Sequence, residues 1–271
     1  MTQTLRDLLL FFERDLRIAR TYRGPFVLEL IESLFGAALF YYVARFVDSP
    51  ELRQALPHGT SYFTYSLVGF VFFDYLNAAL DTFDRSLIEA RDAGTLEPLL
   101  TTQVSLPKIL IGSAIYPFVV TTLRIAVYLA WGALLFDFPL RTANWLTVLV
   151  VLLASLLAFS GLGILSSAYL LLFKRGNPAK WLILGVSSVV GGMLFPVSIL
   201  PDWLQLIARL NPITYALDAM RAALLDGSTV PSIARPILIL LLFAATLLPL
   251  SLVAFNWALR RTKVTGTLTH R

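Results

Sequence analysis

The sequence has no cysteine, which excludes disulfides and cysteine-ligated metals or clusters. Its two histidines, His58 and His270, lie far apart in the chain, which argues against a His-based metal site. Charge is scarce: 14% of residues are charged, where a soluble domain carries about 25%. With 57% hydrophobic residues and a mean hydropathy of +0.75, this balance describes an integral membrane protein. Nucleotide-binding signatures are missing as well. None of Lys108, Lys174, Lys180 and Lys263 follows a glycine and precedes Ser or Thr, so there is no G-x-x-x-x-G-K-[ST] phosphate loop. There is no G-x-S-x-G elbow, no H-E-x-x-H and no dinucleotide-binding G-x-G-x-x-G. The N-terminus alternates charged and apolar residues, and no cleavable signal peptide is expected. The net charge of +5 comes from basic residues scattered between apolar runs, which is unlike a nucleic-acid footprint and suits basic loops beside a membrane.

What is present is a series of long apolar stretches. A spanning helix needs roughly 20 mostly apolar residues. Six stretches meet that length, at 25–47, 62–82, 107–136, 145–173, 180–200 and 236–259. The fold class predicted is therefore an all-α membrane protein with six transmembrane helices. The third and fourth stretches are long enough to tilt or to project from the bilayer. Residues 3–22 precede the first span, and Leu5, Leu8, Phe12, Leu16 and Ala19 keep a helical rhythm there. This predicts an amphipathic helix in the membrane interface, with an ordinary solvent-exposed helix as the alternative. The domain reading is an interfacial helix over 1–24 and a six-span transmembrane domain over 25–271, with a loop at 83–106 and short outer helices over 201–227.

With an even number of spans, both termini share one side. Fifteen Lys and Arg residues fall on that side, among them Arg6, Arg14, Arg17, Arg20, Arg91, Lys174, Arg175 and Arg260, against six on the other. The bias places the termini and residues 83–106 in the cytoplasm. Trp145, Trp203, Trp257 and the pair Tyr41–Tyr42 fall near span ends, as an aromatic belt would place them. Residues 200–235 are too polar to span yet rich in Leu, Ile and Ala. Asp202 is a candidate cap for a helix running to about Leu210, Asn211–Pro212 breaks it, and a second helix runs to Gly227.

Charges inside or near spans are expensive and should face protein or water. Arg124, midway along the third span, and Asp74, at comparable depth on the second, are expected to pair as an intramembrane clamp. Contact between Arg124 and an anionic head group is the competing role. Gly161-Leu162-Gly163 and Gly191–Gly192 lie in apolar spans, where small residues serve close packing more readily than ligand binding.

Two segments carry a family likeness. EARDAGTLEPLLTTQVSLPKIL (89–110) resembles the cytoplasmic loop of type-2 ABC exporter permeases. GGMLFPVSILPDWLQLIARLNPITYALDAMRAALLDG (191–227) resembles the same family's second hallmark, here Phe195–Pro196, Leu200–Pro201, Asn211–Pro212, Thr214–Tyr215, Arg221 and Gly227. One departure is Gln103-Val104-Ser105, where the family often has proline directly after the threonine pair. The resemblance implies that Arg91, Asp92, Gly94, Thr95, Leu96, Glu97, Pro98 and Leu99 form a coupling helix seated on a separate ABC ATPase. It implies that Phe195, Pro196, Pro201, Trp203, Asn211, Pro212, Tyr215 and Arg221 belong to outer helices closing a translocation path.

It further implies two copies of the ATPase, which would carry the ATP and magnesium, and a second permease chain forming a homodimer or heterodimer. This chain would itself hold no cofactor and perform no catalysis. Its location would be the cytoplasmic (inner) membrane, among lipids and with no nucleic acid. The cargo implied is amphipathic: a lipid-linked glycan or polysaccharide, a lipid or a drug, moved outward. The alternatives are a membrane-embedded enzyme or assembly factor without ATP coupling, which should show clustered polar catalytic groups, and a secondary transporter, which should show inverted repeats.

Overall fold

The computed structural model describes residues 10, 12–17, 23–47, 56, 60–92, 106–173 and 176–264. Eight helices organise them: α1 (Arg23–Val47), α2 (Tyr62–Asp92), α3 (Leu106–Leu135), α4 (Trp145–Phe173), α5 (Pro178–Val190), α6 (Asp202–Arg209), α7 (Pro212–Leu225) and α8 (Ala234–Val264). Short 3₁₀ turns occupy Leu140–Thr142 and Val197–Ile199. Among the described residues, four helices are long and apolar enough to cross a membrane: Tyr62–Glu89, Leu110–Leu135, Trp145–Phe173 and Ala234–Thr262. α1, with 25 residues, coincides with the first predicted span.

α4 is the central post. α8 packs along it, α2 and α7 lie against its other sides, and α1 reaches the bundle through α3 and α2. α4 can serve several neighbours because its buried surface is built of small residues: Ala154, Ser155, Ala158, Ser160, Gly161, Gly163, Ser166, Ser167 and Ala168. The two glycines point to different partners. A Cβ at Gly161 would lie 2.7 Å from Leu247 Cβ on α8, and one at Gly163 would lie 2.7 Å from Phe83 Cδ2 on α2. Gly161 and Gly163 thus serve helix packing, the means by which helices approach in lipid, where water gives no hydrophobic drive. α8 is the opposite case. Leu238, Leu241, Leu242, Leu250, Val253 and Trp257 are exposed on a helix long and apolar enough to span, a surface suited to lipid.

Three expectations change in detail. The apolar stretch 180–200 does not form one spanning helix. α5 stops at Val190 after 13 residues, about 20 Å of rise, short of the roughly 30 Å hydrocarbon core. Gly192 follows with φ +81, a left-handed conformation that glycine adopts freely and that ends the helix. Gly191–Gly192 therefore sit at a break and not inside a span. Second, α2 does not end near residue 82. It continues for ten more residues, through Asp92, because SLIEARD contains good helix formers and neither Gly nor Pro. The first ten residues of the loop placed at 83–106 are thus helix. Third, Asp202 is not a cap: Pro201 occupies the N-cap position without a side-chain bond, and Asp202 is the first helical residue.

At the N-terminus, residues 12–17 are helical, with a Glu13–Arg17 ion pair at 2.6 Å. The ring of Phe12 lies 6.0 Å from that of Tyr116 on α3, so this segment rests on the bundle. Tyr42, Trp145, Trp203 and Trp257 are all exposed at or near helix ends.

Candidate functional site

Between α5 and α8 the chain folds into a compact assembly around one buried arginine. α6 and α7 form a corner. Asn211 caps α7, its Oδ1 accepting from Ile213 N at 3.3 Å, and Pro212 takes the first helical position, where its missing N–H costs nothing. Tyr215 Oη donates to Arg209 O at 3.0 Å and so ties α7 to the last turn of α6. The other end of α7 is closed by the α3–α4 connection: Asn144 N donates to Ala223 O at 2.9 Å and Thr142 Oγ1 to Leu224 O at 3.3 Å. α7 ends at Leu225, and Gly227, with φ +64, turns the chain away.

Arg221 sits in the middle of this assembly at 1% exposure. Its Nη2 lies 3.0 Å from Tyr65 O on α2 and 3.2 Å from Met193 O in the broken segment after α5. Its guanidinium carbon stands 3.4 Å from the centroid of the Tyr65 ring, a stacked cation–π contact. The Tyr65 hydroxyl donates to Gly192 O at 2.9 Å. One arginine and one tyrosine therefore hold two consecutive carbonyls of backbone that has left the helix. A buried carbonyl needs such a donor. The sequence places Arg221 in a polar outer segment, where a solvated side chain would be ordinary. It is instead an interior clasp joining α7, α2 and the 191–195 bend. Phe195 and Trp203 are exposed beside it, Pro196 is buried, and Pro201 is exposed at the start of α6.

The second group lies on α2 and α3. Arg124 Nε is 3.5 Å from Asp74 Oδ2, both side chains roughly three-quarters buried. Arg124 Nε makes no hydrogen bond, and Nη2 reaches Thr121 Oγ1 only at 3.5 Å. The pair is thus an ion contact without good hydrogen-bond alignment. Exchanging both for neutral residues should cost less than the two single changes combined, with about 1–2 kcal/mol of coupling. Denaturation of Asp74→Asn, Arg124→Gln and the double variant in detergent measures it. A double variant whose cost equals the sum of the two single costs removes the clamp.

A third group gathers around Asp81 and Asp84, charges near the end of the second predicted span that are expected to face protein or water but whose partners the sequence does not indicate. Asp84 on α2 is buried and accepts from Ser167 Oγ on α4 at 2.8 Å and from Asn177 Nδ2 at 2.7 Å. Asn177 also reaches Ser166 Oγ at 2.7 Å and caps α5 by accepting from Lys180 N at 3.0 Å. Lys180 pairs with Asp81 one turn earlier on α2. The signal available in the sequence was Asn177–Pro178, the same cap-and-first-turn pattern as Asn211–Pro212.

Of the residues assigned to coupling, Arg91 and Asp92 form the last turn of α2. Gly94, Thr95, Leu96, Glu97, Pro98 and Leu99 lie outside the described residues.

Long apolar helices around a short fifth helix with polar ties at both ends describe a multi-pass membrane protein. The ABC-2 type transporter family model matches residues 8–225, which takes in the first motif segment and all but the last two residues of the second, and the chain belongs to that family. It is 24% identical over 204 residues to the inner membrane transport permease YadH of Escherichia coli K12, covering 75% of this chain and 79% of that one. The probable multidrug ABC transporter permease YbhR of the same organism is 24% identical over 161 residues, 59% of this chain and 44% of that one. The linearmycin resistance permease protein LnrN of Bacillus subtilis is 28% identical over 160 residues, 59% of this chain and 41% of that one. The chain is thus a multi-pass inner-membrane permease subunit of an ABC transporter.

Proposed function

We propose that this permease exports an amphipathic compound outward, driven by ATP hydrolysis on a separate ABC ATPase bound in two copies, with a second permease chain completing the path. The observation that carries this is the family match over 8–225, which spans the 93–105 segment with Glu97 and the α5–α7 assembly in one stretch. The absence of a phosphate loop fits a division of labour in which another chain supplies the nucleotide chemistry. Asp92 ends α2 where the 93–105 segment begins, so a force applied there enters a helix about 46 Å long that also carries Asp74, Asp81 and Asp84. Both termini and that segment face the cytoplasm in this reading. Two of the relatives bear names that refer to drugs or to linearmycin, and these favour a hydrophobic small molecule over a lipid-linked glycan or a bulk lipid.

Co-purification of the permease with a candidate ABC ATPase, then ATP hydrolysis in lipid with and without candidate compounds, tests the proposal. Substrate-stimulated hydrolysis is the expected result, and failure to bind any ATPase would sink it. Glu97→Arg reverses a charge in the proposed contact. It should leave insertion intact and reduce stimulated hydrolysis severalfold, as loss of a charged interface contact does. Unchanged stimulation in that variant would argue against this contact.

A further inference from the structure

α5 is gripped at its two ends and exposed along one flank between them. Within the helix only Ser187 and Val190 are fully buried and Ile183 and Leu184 lean on the core, while Trp181, Leu182 and Val189 are exposed. At its start the cap residue Asn177 uses Oδ1 for Lys180 N and Nδ2 for Asp84 Oδ2, and the Lys180–Asp81 ion pair adds a second tie to α2. Asp84 is fixed in turn by Ser167 Oγ, so α2, α4 and α5 meet at one carboxylate. At the far end Ser187 Oγ accepts from Asn211 Nδ2 at 2.9 Å, while Asn211 Oδ1 caps α7. The same residue type does the same work at both ends: the amide oxygen starts its own helix and the amide nitrogen binds a neighbour. After Ser187 the chain reaches the carbonyls of Gly192 and Met193, held by Tyr65 and Arg221.

We propose that α5 is a connecting rod, with Asp84, Asn177, Ser187 and Asn211 as its positioning residues, carrying displacement of α2 to α7 and the 191–195 bend. A short helix held by directed hydrogen bonds at each end transmits axial movement. A bare apolar flank leaves little protein packing to resist sliding, so lipid would be its bearing surface. The ends are discrete polar contacts that are made or lost, the kind of two-state element through which coupling travels. The link to transport rests on the proposed ATPase contact at 93–105. The mechanical link from Asp84 to Met193 does not.

The absence of native cysteine gives a clean test. A single thiol placed by Met193→Cys, at a position 8% exposed, reports opening of the bend through its rate of maleimide labelling in nanodiscs without ATPase. Asp84→Ala should raise that rate about tenfold, an ordinary magnitude for coupling between separate sites. Ser187→Ala, which keeps α5 helical and removes only the far tie, should raise it similarly. The exchange Asp84→Asn with Asn177→Asp restores one carboxylate and one amide across the joint and should return the rate to that of the parent. A control thiol from Ile237→Cys, buried on α8, should label at the same slow rate throughout. An unchanged rate at position 193, failure of the exchange to rescue, or an equal rise at position 237 would each overturn the rod. Adding the ATPase separates the two ideas. If nucleotide shifts labelling at 193 in the parent but not in Asp84→Ala, the rod is on the transport path. If nucleotide shifts it in neither while the first arm succeeds, the rod stands and the ATPase contact fails.

Discussion

Arg221→Ala is expected to destabilise the protein by about 3–5 kcal/mol, the range for removing one partner from a buried charged contact or opening a large core cavity. Two losses combine there. The side chain is 1% exposed, so its removal leaves a void that water does not readily fill. Met193 O, in backbone that belongs to no helix, loses the donor at 3.2 Å, and an unmet buried acceptor costs about 1–3 kcal/mol. Tyr65 O suffers less, since as a carbonyl in the first turn of α2 it also faces the helical N–H four residues on. The series of replacements tells these losses apart. Arg221→Met refills most of the volume but donates nothing, and should recover about half of the loss. Arg221→Lys keeps a donor and the charge but gives up the planar stack on Tyr65 at 3.4 Å, and should cost about 1–2 kcal/mol. Chemical denaturation in detergent gives the ranking Ala, then Met, then Lys in order of decreasing damage. A methionine variant as stable as the parent would mean that the carbonyl clasp contributes nothing.

Composition and span length were enough to locate α1 to α4 and α8, because lipid demands about 20 apolar residues in a row and few other structures supply them. The same rule misread the fifth span. Hydropathy counts side chains, and residues 191–200 are as apolar as a helix would be. What ends α5 is a backbone conformation at Gly192, stabilised by Tyr65 and Arg221 from 127 and 28 or more residues away. Asp74 and Arg124 could be brought together by depth alone, since both interrupt apolar runs near the middle of neighbouring spans. Asp84 could not. It lies where α2 was expected to have left the membrane, and its partners Ser167 and Asn177 are unremarkable polar residues in any linear reading. The outer residues Asn211, Pro212 and Tyr215 were found through the family motif, and their work as cap, first-turn residue and tether follows from their chemistry. Arg221 was found the same way, yet its burial is a property of how α2, α7 and the bend converge, which no local pattern encodes.

Helix propensity and packing oppose each other at Gly163, and magnitudes decide the sign. Replacing a mid-helix glycine with alanine is worth about 1 kcal/mol in favour of the helix. At Gly163 the added Cβ would collide with the backbone carbonyl of Ala79 and stand 2.7 Å from Phe83 Cδ2. The carbonyl belongs to α2 and cannot rotate away, so α2 and α4 must separate. Overpacking of this kind costs about 1–3 kcal/mol and more for a branched residue. Gly163→Ala should therefore destabilise on balance, and Gly163→Val should do so by roughly 3 kcal/mol. The separation would also lengthen the bond from Ser167 Oγ to Asp84, four residues further along the same face of α4, so thiol labelling at position 193 should rise in Gly163→Val as it does in Asp84→Ala. Gly185 supplies the opposite case on α5. Nothing lies within 4 Å of its would-be Cβ, so propensity acts unopposed there. Gly185→Ala should stabilise by about 0.5–1 kcal/mol and leave labelling at 193 slow. A Gly163→Val that unfolds at the same denaturant concentration as the parent would show that α2 and α4 are not in the close contact that sets the geometry of the Asp84 joint, and a destabilised Gly185→Ala would show that α5 has no open space at that position.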